Sequence, residues 1–158
     1  KDKVMHSREG LSFIEKETSF NGCDYFVVKL MREGGESIFV PIEKAEAVIR
    51  HLTPINEVDE LISYMRSIEP EYVTNTKQRR DNFKRKLTSG DIHDLAYLTR
   101  QLYFFLNPAE LEIPVKFGPA DVEMLKFANR TLYDELALTL KEERDEVEEI
   151  VIKMIKTA

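Results

Sequence analysis

The hydrophobic period of this chain changes once, near Leu52, and that single change excludes most architectures. Before it, apolar residues come in short β-rich runs: Leu11-Ser12-Phe13-Ile14, Tyr25-Phe26-Val27-Val28-Lys29-Leu30 and Ser37-Ile38-Phe39-Val40, the last closed by Pro41. Asn21-Gly22 separates the first two runs and Gly34-Gly35 the second pair, dipeptides that accept the positive φ of tight turns. Beyond Leu52 apolar residues recur at spacings of three and four. A length of 158 residues makes one domain or two small ones. The sequence therefore predicts an α+β chain: a small barrel or curled sheet over residues 1–54, then an all-α module over residues 55–158.

Helix limits follow from capping chemistry. Thr53 or Asn56 is placed to cap a helix through Val58, Leu61, Ile62, Met65 and Ile68, ended by Pro70. Thr74-Asn75 caps a second, which stops near Ser89-Gly90. Ile92, Leu95, Leu98, Leu102 and Phe105 line a third, up to Asn107-Pro108. Gly118-Pro119 opens a fourth along Val122, Leu125, Leu132, Leu136 and Leu140, proline being suited to a first helical position. Val147, Ile150, Val151, Met154 and Ile155 belong to a last helix with an acidic outer face.

No catalytic constellation can be assembled from these residues. His6, His51 and His93 lie far apart without a second ligand at helical or hairpin spacing, so neither metal nor other cofactor is expected. Cys23, the one cysteine, has no neighbouring cation to activate it and reads as a small, half-buried residue. A lone cysteine suits a reducing cytoplasm, and the opening Lys1-Asp2-Lys3-Val4-Met5-His6 holds no apolar signal-type run. No eighteen apolar residues run together, so no membrane contact is expected. The chain reads as a non-enzyme without a small-molecule substrate.

Charge supplies the positive signal. Net charge is −6, yet residues 72–100 hold seven basic and three acidic side chains, +4, leaving −10 for the rest. At about 100° per residue, Thr76, Arg80, Phe83 and Leu87 form one stripe of the second helix, with Phe83 and Leu87 docking it. Lys77 and Lys84 then lie along one flank, Arg79 and Lys86 along the other, all facing outward. Such a helix can lay cations along a phosphate backbone and release condensed counterions. The competing reading is a solvated helix whose cations balance acidic neighbours, the last helix included.

At these residues the chain resembles the bacterial CarD/CdnL family of transcription regulators that bind RNA polymerase. The resemblance rests on Asp2-Lys3-Val4, Gly10, Ile14-Glu15, Gly22, Tyr25-Phe26-Val27 and Val40-Pro41-Ile42-Glu43-Lys44-Ala45 in the first part. In the second it rests on Thr74-Asn75, Arg79, Lys86-Leu87, Ser89-Gly90-Asp91, Arg100-Gln101-Leu102, Met124-Leu125, Ala128 and Glu135-Leu136-Ala137. It implies a Tudor-like/SH3-like β module that contacts the polymerase β subunit, followed by a helical module that binds double-stranded promoter DNA. It also implies a cytoplasmic, nucleoid-associated protein that modulates open-complex stability. The basic stretch and this resemblance together make Lys77, Arg79, Arg80, Lys84, Arg85 and Lys86 the DNA-binding positions, with Thr76 at the family's wedge position, and the resemblance makes Glu17, Ile38 and Phe39 the polymerase-binding ones.

Two positions depart from the family pattern. Thr76 stands where the family usually has a tryptophan wedge, and Phe39 where it often has arginine. A hydroxyl cannot supply the surface that unstacks bases. These departures keep open a free-standing DNA-binding regulator that needs no polymerase tether. A protein–protein adaptor is the third reading.

Overall fold

The computed structural model describes residues 2–112 and 114–156. The chain divides into two compact units, Lys1–Leu52 and Thr53–Ala158. The architecture is α+β: a five-stranded antiparallel sheet in the first unit, helices in the second.

Strands β1 (Lys3–His6), β2 (Gly10–Phe20), β3 (Cys23–Leu30), β4 (Ser37–Pro41) and β5 (Ile49–His51) lie in the order β4-β3-β2-β1-β5. The last strand thus returns to the first, while β4 and β5 are the sheet's edges. A single helical turn, α1 (Ala45–Val48), leads into β5. Val28 and Leu30 on β3, Val40 on β4 and Val4 and Met5 on β1 are buried.

The β2–β3 hairpin turns on Asn21 and Gly22, with φ of 51° and 78°, the left-handed pair that the dipeptide predicts. Gly35 is needed for another reason: a Cβ there would stand 2.2 Å from the Leu30 carbonyl oxygen. Strand β2 extends well past Ile14, because Lys16 and Glu17 pair with β3 despite low strand propensity. Ile14 faces Val28 and Lys16 faces Val27, so Glu15 is the extra residue of a bulge and Glu17 falls opposite Phe26. Cys23 is exposed at the start of β3, not half-buried as its small size suggested, because it adjoins the hairpin tip.

His6 Nδ1 accepts the backbone N–H groups of Arg8 and Glu9 at 3.1 Å each. That role requires an unprotonated Nδ1, and burial, the largest influence, pulls the His6 pKa below 6.5. The unfolded chain therefore binds the proton more tightly. The resulting stability is complete above pH 6.5 and drains away as pH falls towards the lower native value. Chemical denaturation of the full chain between pH 7.5 and about 5 should show this slope in the β unit. In a His6→Asn variant the slope should shrink.

The helical unit holds α2 (Val58–Ser67), α3 (Thr76–Thr88), α4 (Ile92–Leu106), α5 (Pro119–Leu140) and α6 (Arg144–Lys156). Helix α5 is the hub, packed by α3, α4 and α6, and its Leu125, Ala128, Leu132 and Leu136 are fully buried. Caps set the limits. The Asn75 side chain accepts Gln78 N–H at 2.9 Å, and Asp91 accepts His93 N–H at 2.8 Å. Helix α5 ends where Lys141 adopts φ 57°.

Helix α2 stops at Ser67, ahead of Pro70, with Ile68 already extended. Gln101 explains the early stop. Its side chain, 1% exposed, donates to the Glu69 carbonyl and accepts Glu71 N–H, holding the following segment extended against α4. A second buried polar group, Glu135, accepts both the amide and the hydroxyl of Thr53 at 2.7 and 2.8 Å. Among the described residues no helix is long and apolar enough to cross a membrane, and no cluster of His, Cys, Asp and Glu could hold a metal ion.

Candidate nucleic-acid interface

Helix α3 carries all seven candidate positions, and the fold sorts them into distinct environments. Lys77, Lys84 and Arg85 are exposed, and no carboxylate pairs with them among the described residues. Arg85 is steadied at 3.3 Å by the Asn82 side chain. Thr76, the first residue of α3, is exposed beside them. Asp81 is also exposed on this helix and lowers the positive charge of the open face.

The expectation that Arg79 faces outward fails. Arg79 is 5% exposed, and its Nε and Nη2 donate to Asp121 Oδ2 at 3.1 and 3.0 Å. Its Nη1 donates to the Val73 carbonyl at 2.9 Å, and the guanidinium lies 5.2 Å from the Tyr72 ring centre. Asp121, completely buried, also accepts Gly118 N–H at 3.0 Å, in the first turn of α5. The carboxylate therefore joins α3 to the start of α5, and the Arg79 side chain ties in the segment before α3. A carboxylate suits that place, since the backbone N–H groups of a helix start carry partial positive charge.

Arg80 stands between the two situations. Its side chain is 42% exposed, and its Nε lies 3.7 Å from Asp121 Oδ1, an ion pair without a hydrogen bond. Lys86 is turned inward as well, against expectation. Its ammonium is 3.4 Å from Asp94 and 4.5 Å from the Tyr97 ring centre. Tyr97 donates to Glu71 at 2.7 Å, and burial together with that bond pushes its pKa up, so its hydroxyl stays protonated. Phe83 docks as expected, edge-on to Phe117 at 5.6 Å. The cations of α3 that are neutralised meet α4 and α5. Among the described residues none pairs with α6.

On the sheet, the three tether candidates do not share one face. Phe39 is 65% exposed, stands opposite Val27 and meets Tyr25 edge-on at 6.2 Å. Ile38 is half-buried opposite Val28, on the other face of the sheet. Glu17 is exposed and falls in the row of Phe26 and Val40, which is Ile38's face.

Residues 60–152, from within α2 to within α6, match the family model of the CarD C-terminal domain. The chain belongs to the CarD/CdnL family. CarD/CdnL proteins are transcription regulators associated with RNA polymerase. No curated protein matches the chain. The CarD match covers α3 and the polar partners that hold it, Asp121, Asp94 and Tyr97. The sequence pattern gives none of the three a role as a partner of α3. Asp121 lies 42 residues from Arg79, and its one local signal is an acid three residues after Gly118, at the start of α5.

Proposed function

We propose that this CarD-family protein binds promoter DNA through the open face of α3 and the polymerase β subunit through its β unit, as a regulator of open-complex stability. One observation carries the DNA half: Arg79 and Lys86 are consumed in holding α3, while Lys77, Lys84 and Arg85 remain solvated and without an ion pair among the described residues. A rigid rod presenting three free cations meets phosphates at little ordering cost. Arg80, at the rim, is the fourth contact. With Thr76 in place of an aromatic wedge, the contact is to the backbone and nearly independent of sequence.

The tether falls to β4. It is an edge strand of the sheet, so its outer edge can take a partner strand, and Phe39 adds an exposed aromatic anchor. A tether multiplies the local concentration of a weak DNA binder. The test is co-elution of the full chain with RNA polymerase in gel filtration, followed by titration. Phe39→Ser should weaken binding about thirtyfold, the scale of an interfacial aromatic hot spot. Binding unaffected by that change would remove β4 as the tether. No co-elution of the wild-type chain would favour a free-standing DNA-binding regulator.

A further inference from the structure

Arg100, in α4, is a buried cation that the promoter-binding reading leaves unused. It is 8% exposed, and no hydrogen bond or ion pair reaches its guanidinium among the described residues; its Nε is fully buried without a partner. Ring faces approach it, Tyr103 at 4.8 Å and Phe104 at 4.7 Å from the ring centres. Glu110 acts on Arg100 from a distance without forming an ion pair, being engaged by the Tyr103 hydroxyl at 3.3 Å. Burial accordingly draws the Arg100 pKa down. A guanidinium held this way lacks the anion that normally accompanies a buried charge.

Beside it, α4, α5 and α6 line a partly open cavity of about 230 Å³. Arg100, Asn107, Asn129, Tyr133 and Glu148 supply its polar wall, while Leu106 and Ile152 contribute apolar surface. We propose that this cavity is a binding site for a small aliphatic monocarboxylate, its carboxylate on Arg100 and its tail along Leu106 and Ile152.

Three features select that class. With rings over its guanidinium, Arg100 offers its N–H edge, the geometry that a carboxylate meets with two parallel bonds. Glu148 in the same wall repels a second negative charge, which disfavours a phosphate dianion. A cavity of about 150 Å³ accepts benzene, so this one fits a molecule of about eight to ten heavy atoms. Arg100 also borders a wider groove with Arg66, but that groove brings three carboxylates, Glu69, Glu110 and Glu112, and suits an anion poorly.

Calorimetric and NMR titration of the full chain with hexanoate, hexanamide and inorganic phosphate tests the site. Hexanoate should bind saturably in the millimolar range or tighter, shifting the amide signals of Asn129 and Glu148. Hexanamide should bind at least about tenfold more weakly, the scale of a lost charge-assisted pair. Arg100→Gln should lower hexanoate affinity by a similar factor. If that variant fails to fold, the comparison of acid and amide on the wild-type chain decides alone. Absence of hexanoate binding, equal affinity for the amide, signals shifting elsewhere, or phosphate binding as tightly as hexanoate would each overturn the assignment.

Discussion

Replacing Asp121 with alanine is expected to destabilise the helical unit by about 3–5 kcal/mol, the scale of removing one partner from a buried ion pair. Asp121 is wholly buried and holds Arg79 through two donors and the Gly118 amide through a third. Its loss strands a guanidinium that is 5% exposed and frees the first turn of α5. Urea denaturation followed by helical circular dichroism measures the effect. A cost below about 1 kcal/mol, within the range of ordinary surface changes and weak caps, would show that the pair does not hold α3 in place. Arg79→Ala should cost a similar amount. In the double variant much of the penalty should be absent, since no lone charge then remains in the core. DNA binding lost through Arg79→Ala would thus report a loosened helix rather than a lost phosphate contact.

The second large effect lies on the other side of the same helix. A Lys77→Ala, Lys84→Ala, Arg85→Ala triple variant should keep wild-type stability within about 0.5 kcal/mol, because all three side chains are solvated and away from special features. Its DNA affinity should nonetheless fall on every duplex alike. The slope of log affinity against log salt should become shallower by about 2.7, or 0.9 for each phosphate contact removed. An unchanged slope would place the polyanion contact elsewhere or exclude one. The two variants together separate the cations that build α3 from those that face outward, a division that a count of basic residues conceals.

Much of the scaffold was legible because it is written locally. Asn75 and Asp91 cap the helices they precede, Pro119 sits in the first turn of α5, and Asn21-Gly22 makes the hairpin. Short elements were less visible. Strands β1 and β5 have four and three residues, too few for a period, and exist because β1 pairs with β2 and β5 pairs with β1. The site was legible as a helix but not as a face. Arg79 and Lys86 sit seven residues apart on one flank, as expected, yet that flank is the docked one. Phe83 and Leu87 gave the docking direction only roughly, because an arginine can be buried wherever a carboxylate receives it. The receiving groups come from α4 and α5, and no local pattern announces them.

Thr53 carries a last consequence. Its amide and hydroxyl end on the buried Glu135 carboxylate, and its carbonyl accepts the Thr139 hydroxyl at 2.7 Å. Its amide hydrogen can therefore trade with solvent deuterium only when α5 lets go. One slow-exchanging site at the junction would act as a clock for the opening of the helical unit.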